Sequence, residues 1–268
     1  MRKCKYLQGI LSLVFVCLTF HVYPKMHIAK GEMLPCSKAE CVIEWNTGDI
    51  LHEWNADLRL PMASTTKILT AITVLEQCND IETEISIPRE AVGIEGSSVY
   101  LKAGETYTVQ DLLYGLMLRS GNDCATALAL HFGGSVGNFC SKMNLIAQKA
   151  GALSSHFENP HGLPCENHYT TARDLCYITR YAMQNEVFKK IVSTKFYEPK
   201  QWKNKNKMLL NYEGAIGVKT GYTKEAGRCL VSAARKNNRI VICVVLCSPN
   251  MYERSAVLLD KALGRTNP

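Results

Sequence analysis

The stretch RLPMASTTKILTAITVL, Arg59–Leu75, sets Ser64 and Lys67 three residues apart where the hydrophobic pattern turns helical. Ile68, Ala71, Ile72 and Leu75 fall at i, i+3, i+4 and i+7, which predicts one apolar helical face. Upstream the period is that of strands. CVIEWNTGDILHEWN, starting at Cys41, reads as two short strands joined by the turn Asn46-Thr47-Gly48-Asp49.

Downstream the helical pattern persists. TVQDLLYGLML opens with a capping box, Thr108 to Asp111, and TARDLCYITRYAM with a second, Thr171 to Asp174. Asp123 to His131 and Val136 to Ala150 also read as helices. From about Ser193 strands return: GAIGVKTG, then RCLVSAAR, the turn Asn237-Asn238, and IVICVVLC. The last two are apolar and β-branched enough to be central antiparallel strands. A helix over Tyr252–Leu263 closes the chain. Strands at both ends and helices between them predict an α+β fold: an antiparallel sheet built from N- and C-terminal strands, with a helical subdomain beside it. Residues 36–265 read as one catalytic domain, with no repeat and no linker to divide it.

The chain has 268 residues, 47% of them hydrophobic and 21% charged, enough for a substantial core. The formal charge of +7 is modest and scattered. Only KQWKNKNK, Lys200 to Lys207, concentrates cations, and it reads as a solvated loop or hairpin tip rather than a nucleic-acid surface. Arg2, Lys3 and Lys5 precede the apolar run Ile10 to Phe20, the layout of an export signal. That run is short for a membrane-spanning helix and no A-x-A site follows, so residues 1–30 read as an export signal or an N-terminal membrane anchor. Two of the twelve cysteines, Cys4 and Cys17, lie in this region. The body contains no C-x-x-C and no zinc-like spacing, which predicts mostly buried thiols, with Cys36 and Cys41 as a candidate pair. No metal or organic cofactor is expected.

Ser64 and Lys67 carry the chemistry of interest. A serine hydroxyl is a weak nucleophile until an adjacent base takes its proton. A lysine can be that base only if burial or another cation lowers its pKa. A polar cluster with a second cation is therefore required, and two other stretches could supply it. Ser120-Gly121-Asn122, in LRSGNDCA, falls in a break between helical segments, where it also reads as an ordinary turn and N-cap. Lys219-Thr220-Gly221 ends an otherwise apolar strand, where a lysine is unusual and a glycine marks close approach of another backbone. Ser248-Pro249-Asn250 repeats the S-x-N spacing, but it follows a strand, contains proline and reads as a turn.

Ser-x-x-Lys, Ser-x-Asn and Lys-Thr-Gly in this order form the motif set of serine β-lactamases and penicillin-binding proteins. From about Cys41 to Leu263 the chain resembles the low-molecular-mass penicillin-binding proteins, the serine D-alanyl-D-alanine carboxypeptidases. DILHEWNADLRLPMASTTK, GSSVYLKAGETYTVQDLLYGLMLRSGND, NPHGL, TTARDL and VKTGYT carry the likeness. The resemblance implies that Ser64 attacks the penultimate D-alanine and forms an acyl-enzyme, with Lys67 as base, kept partly neutral by Lys219. Ser120 would pass the proton to the departing D-alanine, and Asn122 would hold Lys67 and the substrate amide. Backbone N–H groups of Ser64 and Tyr222 would form the oxyanion hole, and the strand through Gly221 would pair with the extended substrate. Thr220 and Arg254 would take its terminal carboxylate.

Peptidoglycan stem peptides ending in D-Ala-D-Ala, β-lactams and an extracytoplasmic location follow from the same resemblance. Arg173, a cation at a helix start, implies a specific partner bordering the site, and His161 reads as a loop-packing residue. Many relatives carry a C-terminal β-rich domain and an amphipathic anchor, and neither is expected here. Tyr222 stands where some relatives have histidine. Two alternatives differ in what they require. A β-lactamase of the same fold would carry S-D-N and a deacylating glutamate, whereas Glu158 and Glu166 have the wrong surroundings. A non-catalytic wall- or β-lactam-binding module would not need Ser64, Lys67 and Lys219 together.

Overall fold

The computed structural model describes residues 37–265; the expected export segment and Cys36 lie outside the described residues. β1 (Ala39–Glu44) and β2 (Ile50–Trp54) form the expected hairpin. A 3-10 turn, Ala63–Thr66, then leads into α1 (Lys67–Leu75). A small ribbon of β3 (Glu84–Ser86) and β4 (Thr106–Thr108) precedes α2 (Val109–Tyr114), α3 (Asn122–Gly133), α4 (Val136–Lys149), α5 (Ala172–Ala182) and α6 (Glu186–Ser193). β5 (Phe196–Tyr197) and β6 (Trp202–Lys203) make a second ribbon, followed by the single turn α7 (Met208–Asn211). β7 (Ala215–Thr223), β8 (Gly227–Lys236), β9 (Arg239–Leu246) and α8 (Met251–Ala262) complete the chain.

Both capping boxes form. The Thr108 hydroxyl accepts from the Asp111 N–H at 3.0 Å, and Thr171 from Asp174 at 3.0 Å. The five-stranded sheet runs in the order β2-β1-β9-β8-β7, every neighbour antiparallel, so the two ends of the chain make one sheet as expected. β8 and β9 are central and buried on both faces, which explains their nearly unbroken apolar sequence. On one face Val42, Leu230, Val241, Cys243 and Val245 meet Met251, Leu258 and Leu259 of α8. On the other, Cys41, Ile43, Val231, Ile242 and Val244 join the larger core that includes α1 and α5. β7 is left as an open edge, and that edge borders Ser64.

One helix departs from the expected pattern. All nine residues of α1 are buried, so it has no solvent face, and the apolar period showed only part of its environment. Its threonines are satisfied internally: Thr70 donates to the Pro160 carbonyl at 2.6 Å and Thr73 to Leu69 at 2.8 Å. The thiols of Cys41, Cys124, Cys140, Cys176, Cys229 and Cys243 are buried as expected, whereas Cys165 is exposed.

A buried ion pair ties α8 to the sheet. Arg254 donates from Nε and Nη2 to the two carboxylate oxygens of Glu40, each at 2.7 Å, and Glu40 is fully buried on β1. Burial alone would raise the Glu40 carboxyl, but hydrogen bonds from His52 and Arg254 outweigh it and hold the group down from 4.5 to about 2. A carboxylate lowered in the folded state adds stability above its unfolded value, and that contribution fades as pH falls from 4.5 toward about 2. Arg254→Leu strands the Glu40 charge, so it is expected to cost about 3 kcal/mol at pH 7. Urea titrations at pH 7 and at descending pH check this: the variant curve should be lower at neutral pH and flatter in acid.

Candidate active site

Three chain segments far apart in sequence converge on the amine of Lys67. The side chain is fully buried, and its Nζ lies 3.0 Å from Ser64 Oγ, 2.7 Å from Asn122 Oδ1 and 2.6 Å from the His161 carbonyl oxygen. All three partners are neutral. Burial, and then the charge of Lys219, hold the amine well below the ordinary lysine range. Ser64 itself is only partly buried, so its hydroxyl can be reached from the open edge.

The turn that presents Ser64 is held in an uncommon conformation. Ala63 has φ 49°, a left-handed value that costs a non-glycine residue energy. Two glycines lie close against the turn. A Cβ at Gly162, whose φ is +91°, would stand 1.9 Å from the Ala63 carbonyl oxygen. A Cβ at Gly221 would stand 3.0 Å from the Met62 carbonyl oxygen and 3.1 Å from the Ser64 nitrogen. The close approach expected of the glycine after Lys-Thr is therefore made to the backbone of Ser64.

Asn122 is fixed as firmly as Lys67. Its Nδ2 donates to the Glu95 carbonyl, which sets the amide so that Oδ1 faces the lysine, and its backbone N–H donates to Ser97 at 2.7 Å. Ser120, buried and left-handed at φ 65°, accepts from Lys219 Nζ at 3.1 Å. The same ammonium donates to the Thr220 carbonyl at 2.9 Å. Burial, and then the charge of Lys205, push Lys219 down to about 7. Thr220, Gly221 and Tyr222 continue along the open edge, and Tyr222 is 62% exposed, leaving its flank open to an extended ligand.

Of the residues expected at the site, the structure brings Ser64, Lys67, Ser120, Asn122, Lys219, Thr220, Gly221 and Tyr222 together. Arg254 is not among them. Its bidentate hydrogen bonds, expected to receive a substrate carboxylate, go to Glu40 on β1, with β9 and β8 lying between β1 and β7. Arg173 does find specific partners, Asp57 at 2.7 Å and Glu53 at 2.9 Å, and so ties α5 to the segment leading toward Ser64. His161 packs in its loop, accepting at Nδ1 from the Leu163 N–H at 3.2 Å; burial and then the Lys67 charge push it down to about 3. Its backbone carbonyl, however, is one of the three acceptors of Lys67, a contribution no side-chain pattern could reveal.

The basic run includes a hairpin, and Lys205 beyond it is exposed as expected, its Nζ donating to Ser97 Oγ at 3.3 Å. Among the described residues no group of three or more His, Cys, Asp or Glu side chains is placed to hold a metal ion.

The constellation defines a serine acyl-transfer site in which an amine takes the place of the usual imidazole base. Comparison with known proteins agrees. Residues 31–250 match the family described as D-alanyl-D-alanine carboxypeptidase. The chain is 34% identical over 263 residues to the D-alanyl-D-alanine carboxypeptidase DacF of Bacillus subtilis, covering 93% of this chain and 67% of that protein. To the D-alanyl-D-alanine carboxypeptidase of Streptomyces sp. strain K15 it is 39% identical over 233 residues, 78% of this chain and 80% of that protein. The crystal structure of DacD from Francisella tularensis, a D-alanyl-D-alanine carboxypeptidase, superposes with a TM-score of 0.79 at 30% identity, covering 90% of this chain and 73% of that one. The chain belongs to the D-alanyl-D-alanine carboxypeptidase family.

Gly221→Ala is expected to displace β7 from the Ser64 turn, because the contacting atoms are backbone atoms of Met62 and Ser64 and the Cβ of Ala63, none of which can rotate away. Acylation by a fluorescent penicillin should slow by about a hundredfold, while the melting temperature changes little, since the strain falls on an edge strand.

Proposed function

We propose that the protein is a serine peptidase that removes the terminal D-alanine from peptidoglycan stem peptides ending in D-Ala-D-Ala, and that β-lactams acylate it at the same serine. The observation that carries this reading is the buried Lys67 amine, bonded to Ser64 and to two neutral carbonyl-type acceptors without a carboxylate partner. As a neutral amine, Lys67 keeps two N–H donors for Asn122 and His161 and turns its lone pair to the Ser64 hydroxyl. The Ser64 proton moves to Nζ as Oγ attacks the penultimate carbonyl carbon. Backbone N–H groups of Ser64 and Tyr222 receive the oxyanion, and a donor of this kind supplies about 3 kcal/mol. Collapse breaks the C–N bond, and the departing amine takes a proton by way of Ser120. Water, deprotonated by Lys67, then hydrolyses the ester and frees Ser64. The open edge of β7 serves the peptide as a strand partner, with Asn122 and the edge backbone fixing its amides.

Family members act on peptidoglycan outside the cytoplasm, and export through the N-terminal segment fits that location. Among the described residues no helix is long and apolar enough to cross a membrane. The β-lactamase alternative needs a deacylating glutamate beside the serine, and Glu158 does not serve as one. Glu158 is spent on the Asn167 N–H and the Cys165 thiol, on an exposed loop.

Ser64→Ala should abolish release of D-alanine from a D-Ala-D-Ala pentapeptide and leave the melting temperature within a few degrees of the parent. In the parent, benzylpenicillin should give a long-lived adduct on Ser64 by intact-protein mass spectrometry. Its leaving amine stays attached and obstructs the hydrolytic water. Rapid penicillin turnover without an adduct, and without D-alanine release from pentapeptide, would place the protein among the β-lactamases instead.

The charge of Lys219 lowers the pKa of Lys67, so its loss should let Lys67 keep its proton to higher pH. Lys219→Gln is expected to move the ascending limb of the kcat/KM profile to higher pH and to lower the rate at pH 7. A rate-versus-pH series checks the direction, and an unmoved limb would show that burial alone tunes the base.

A further inference from the structure

One buried titratable group lies against the Ser64 turn and takes no part in the proton transfers among Ser64, Lys67 and Ser120. His168 is 4% exposed, and both of its ring nitrogens are engaged. Nδ1 accepts from the Glu158 backbone N–H at 3.0 Å. A nitrogen that accepts carries no hydrogen, so in the neutral ring the proton sits on Nε2, 2.9 Å from Thr66 Oγ1. The Thr66 hydroxyl in turn donates to the Ala63 carbonyl at 2.9 Å. The bonds therefore run one way, from the Glu158 peptide through His168 and Thr66 to Ala63. Burial keeps the ring neutral, lowering it to about 4; the Glu158 carboxylate opposes this, and the charges of His156 and Lys67 reinforce it.

The Ala63 oxygen belongs to the peptide that carries the Ser64 N–H. That unit is planar, so its carbonyl and its N–H point in opposite directions and move together. Holding the oxygen aims the N–H. Ala63 is left-handed at φ 49°, so the backbone alone does not favour this orientation. Gly162 leaves the room for it, since a Cβ there would stand 1.9 Å from the Ala63 oxygen and 2.9 Å from Thr66 Oγ1. His168 is not needed to fasten its own loop. Thr70 donates to the Pro160 carbonyl at 2.6 Å, and Asn144 exchanges bonds of 2.9 and 3.0 Å with the Phe157 backbone. Leu60 and Thr170 pair through both of their backbone bonds. With the loop tied at these points, the work of the His168–Thr66 bond falls on the turn.

We propose that His168, through Thr66, aims the Ser64 N–H at the carbonyl oxygen under attack, as a positioning residue for the oxyanion hole and not as a base. The proposal rests on the serine acyl-transfer reading above and adds to it the residue that sets one of the two oxyanion donors. Charge collects on that oxygen only as the tetrahedral intermediate forms, so misdirecting the donor raises the barrier more than it weakens substrate binding. A neutral histidine suits the place, because a protonated Nδ1 would meet the Glu158 N–H donor to donor.

The test measures kcat and KM for D-alanine release from a D-Ala-D-Ala pentapeptide, and the rate of acylation by benzylpenicillin, since both reactions develop an oxyanion beside Ser64. An asparagine amide can set its oxygen where Nδ1 stands, and a glutamine amide its nitrogen where Nε2 stands. His168→Asn thus keeps the Glu158 bond and loses the donor to Thr66. It should lower kcat and the acylation rate by about tenfold to a hundredfold, with KM within about threefold of the parent. His168→Gln, which retains that donor, should recover most of the loss. Thr66→Val should reproduce the loss and supplies the same readout should His168→Asn fail to fold. The double variant should be no slower than the slower single one, because both changes cut one chain. Losses that multiply in the double variant would overturn the assignment, as would a glutamine variant no better than asparagine, or a loss borne by KM. A parent that benzylpenicillin acylates, with this pattern among the variants but no D-alanine release, would remove the peptide substrate and leave the role of His168 standing.

Discussion

The structure is organised around one amine taken out of water. Lys67 is completely buried at the first position of a helix that is itself buried on every side. A lysine in that setting is tolerable charged only beside a carboxylate, and tolerable neutral only with acceptors for its remaining hydrogens. Here the acceptors are an amide oxygen and a peptide carbonyl, and the lone pair is left for a hydroxyl. A carboxylate in their place would hold the proton on the lysine and silence it as a base. Because the environment supplies polarity without charge, the amine stays available to Ser64.

That requirement explains what otherwise look like separate details. Asn122 must present oxygen and not nitrogen to the lysine, and the Glu95 carbonyl enforces this by taking the amide hydrogens. The loop carrying His161 must bring its carbonyl close, and Gly162 lets it lie against Ala63, where any side chain would collide with the backbone. Lys219 must be near enough to repel the Lys67 proton without blocking the nucleophile, and it achieves this by bonding Ser120 and the Thr220 carbonyl instead. The strained turn at Ala63 persists because it is clamped between the loop and β7.

Placing the cations Lys219 and Lys205 near a neutral Lys67 leaves the site short of negative charge. Four acids are used elsewhere: Glu40 for Arg254, Asp57 and Glu53 for Arg173, and Asp123 for the loop beside Ser97. The imbalance carries an electrostatic cost, which burial of Lys219 increases. Catalytic sites in which unpaired charge awaits a ligand follow the same physics.

Much of this was written along the chain. The change from strand to helical period near Ser64, the two capping boxes and the β-branched runs at the C-terminal end fixed the class of fold, because these are local preferences that each segment expresses by itself. The three motifs named Ser64, Lys67, Ser120, Asn122 and Lys219, since their residue types announce their chemistry. Other features had no local signature. The burial of α1 on all sides depends on what surrounds it, and the His161 carbonyl belongs to no side chain. Arg254 carried the right chemistry for a carboxylate, but the carboxylate it met was Glu40, distant along the chain and brought close only by the sheet. Sequence determined which groups could react; packing decided which of them share one unhydrated space, and only that shared space sets their charge.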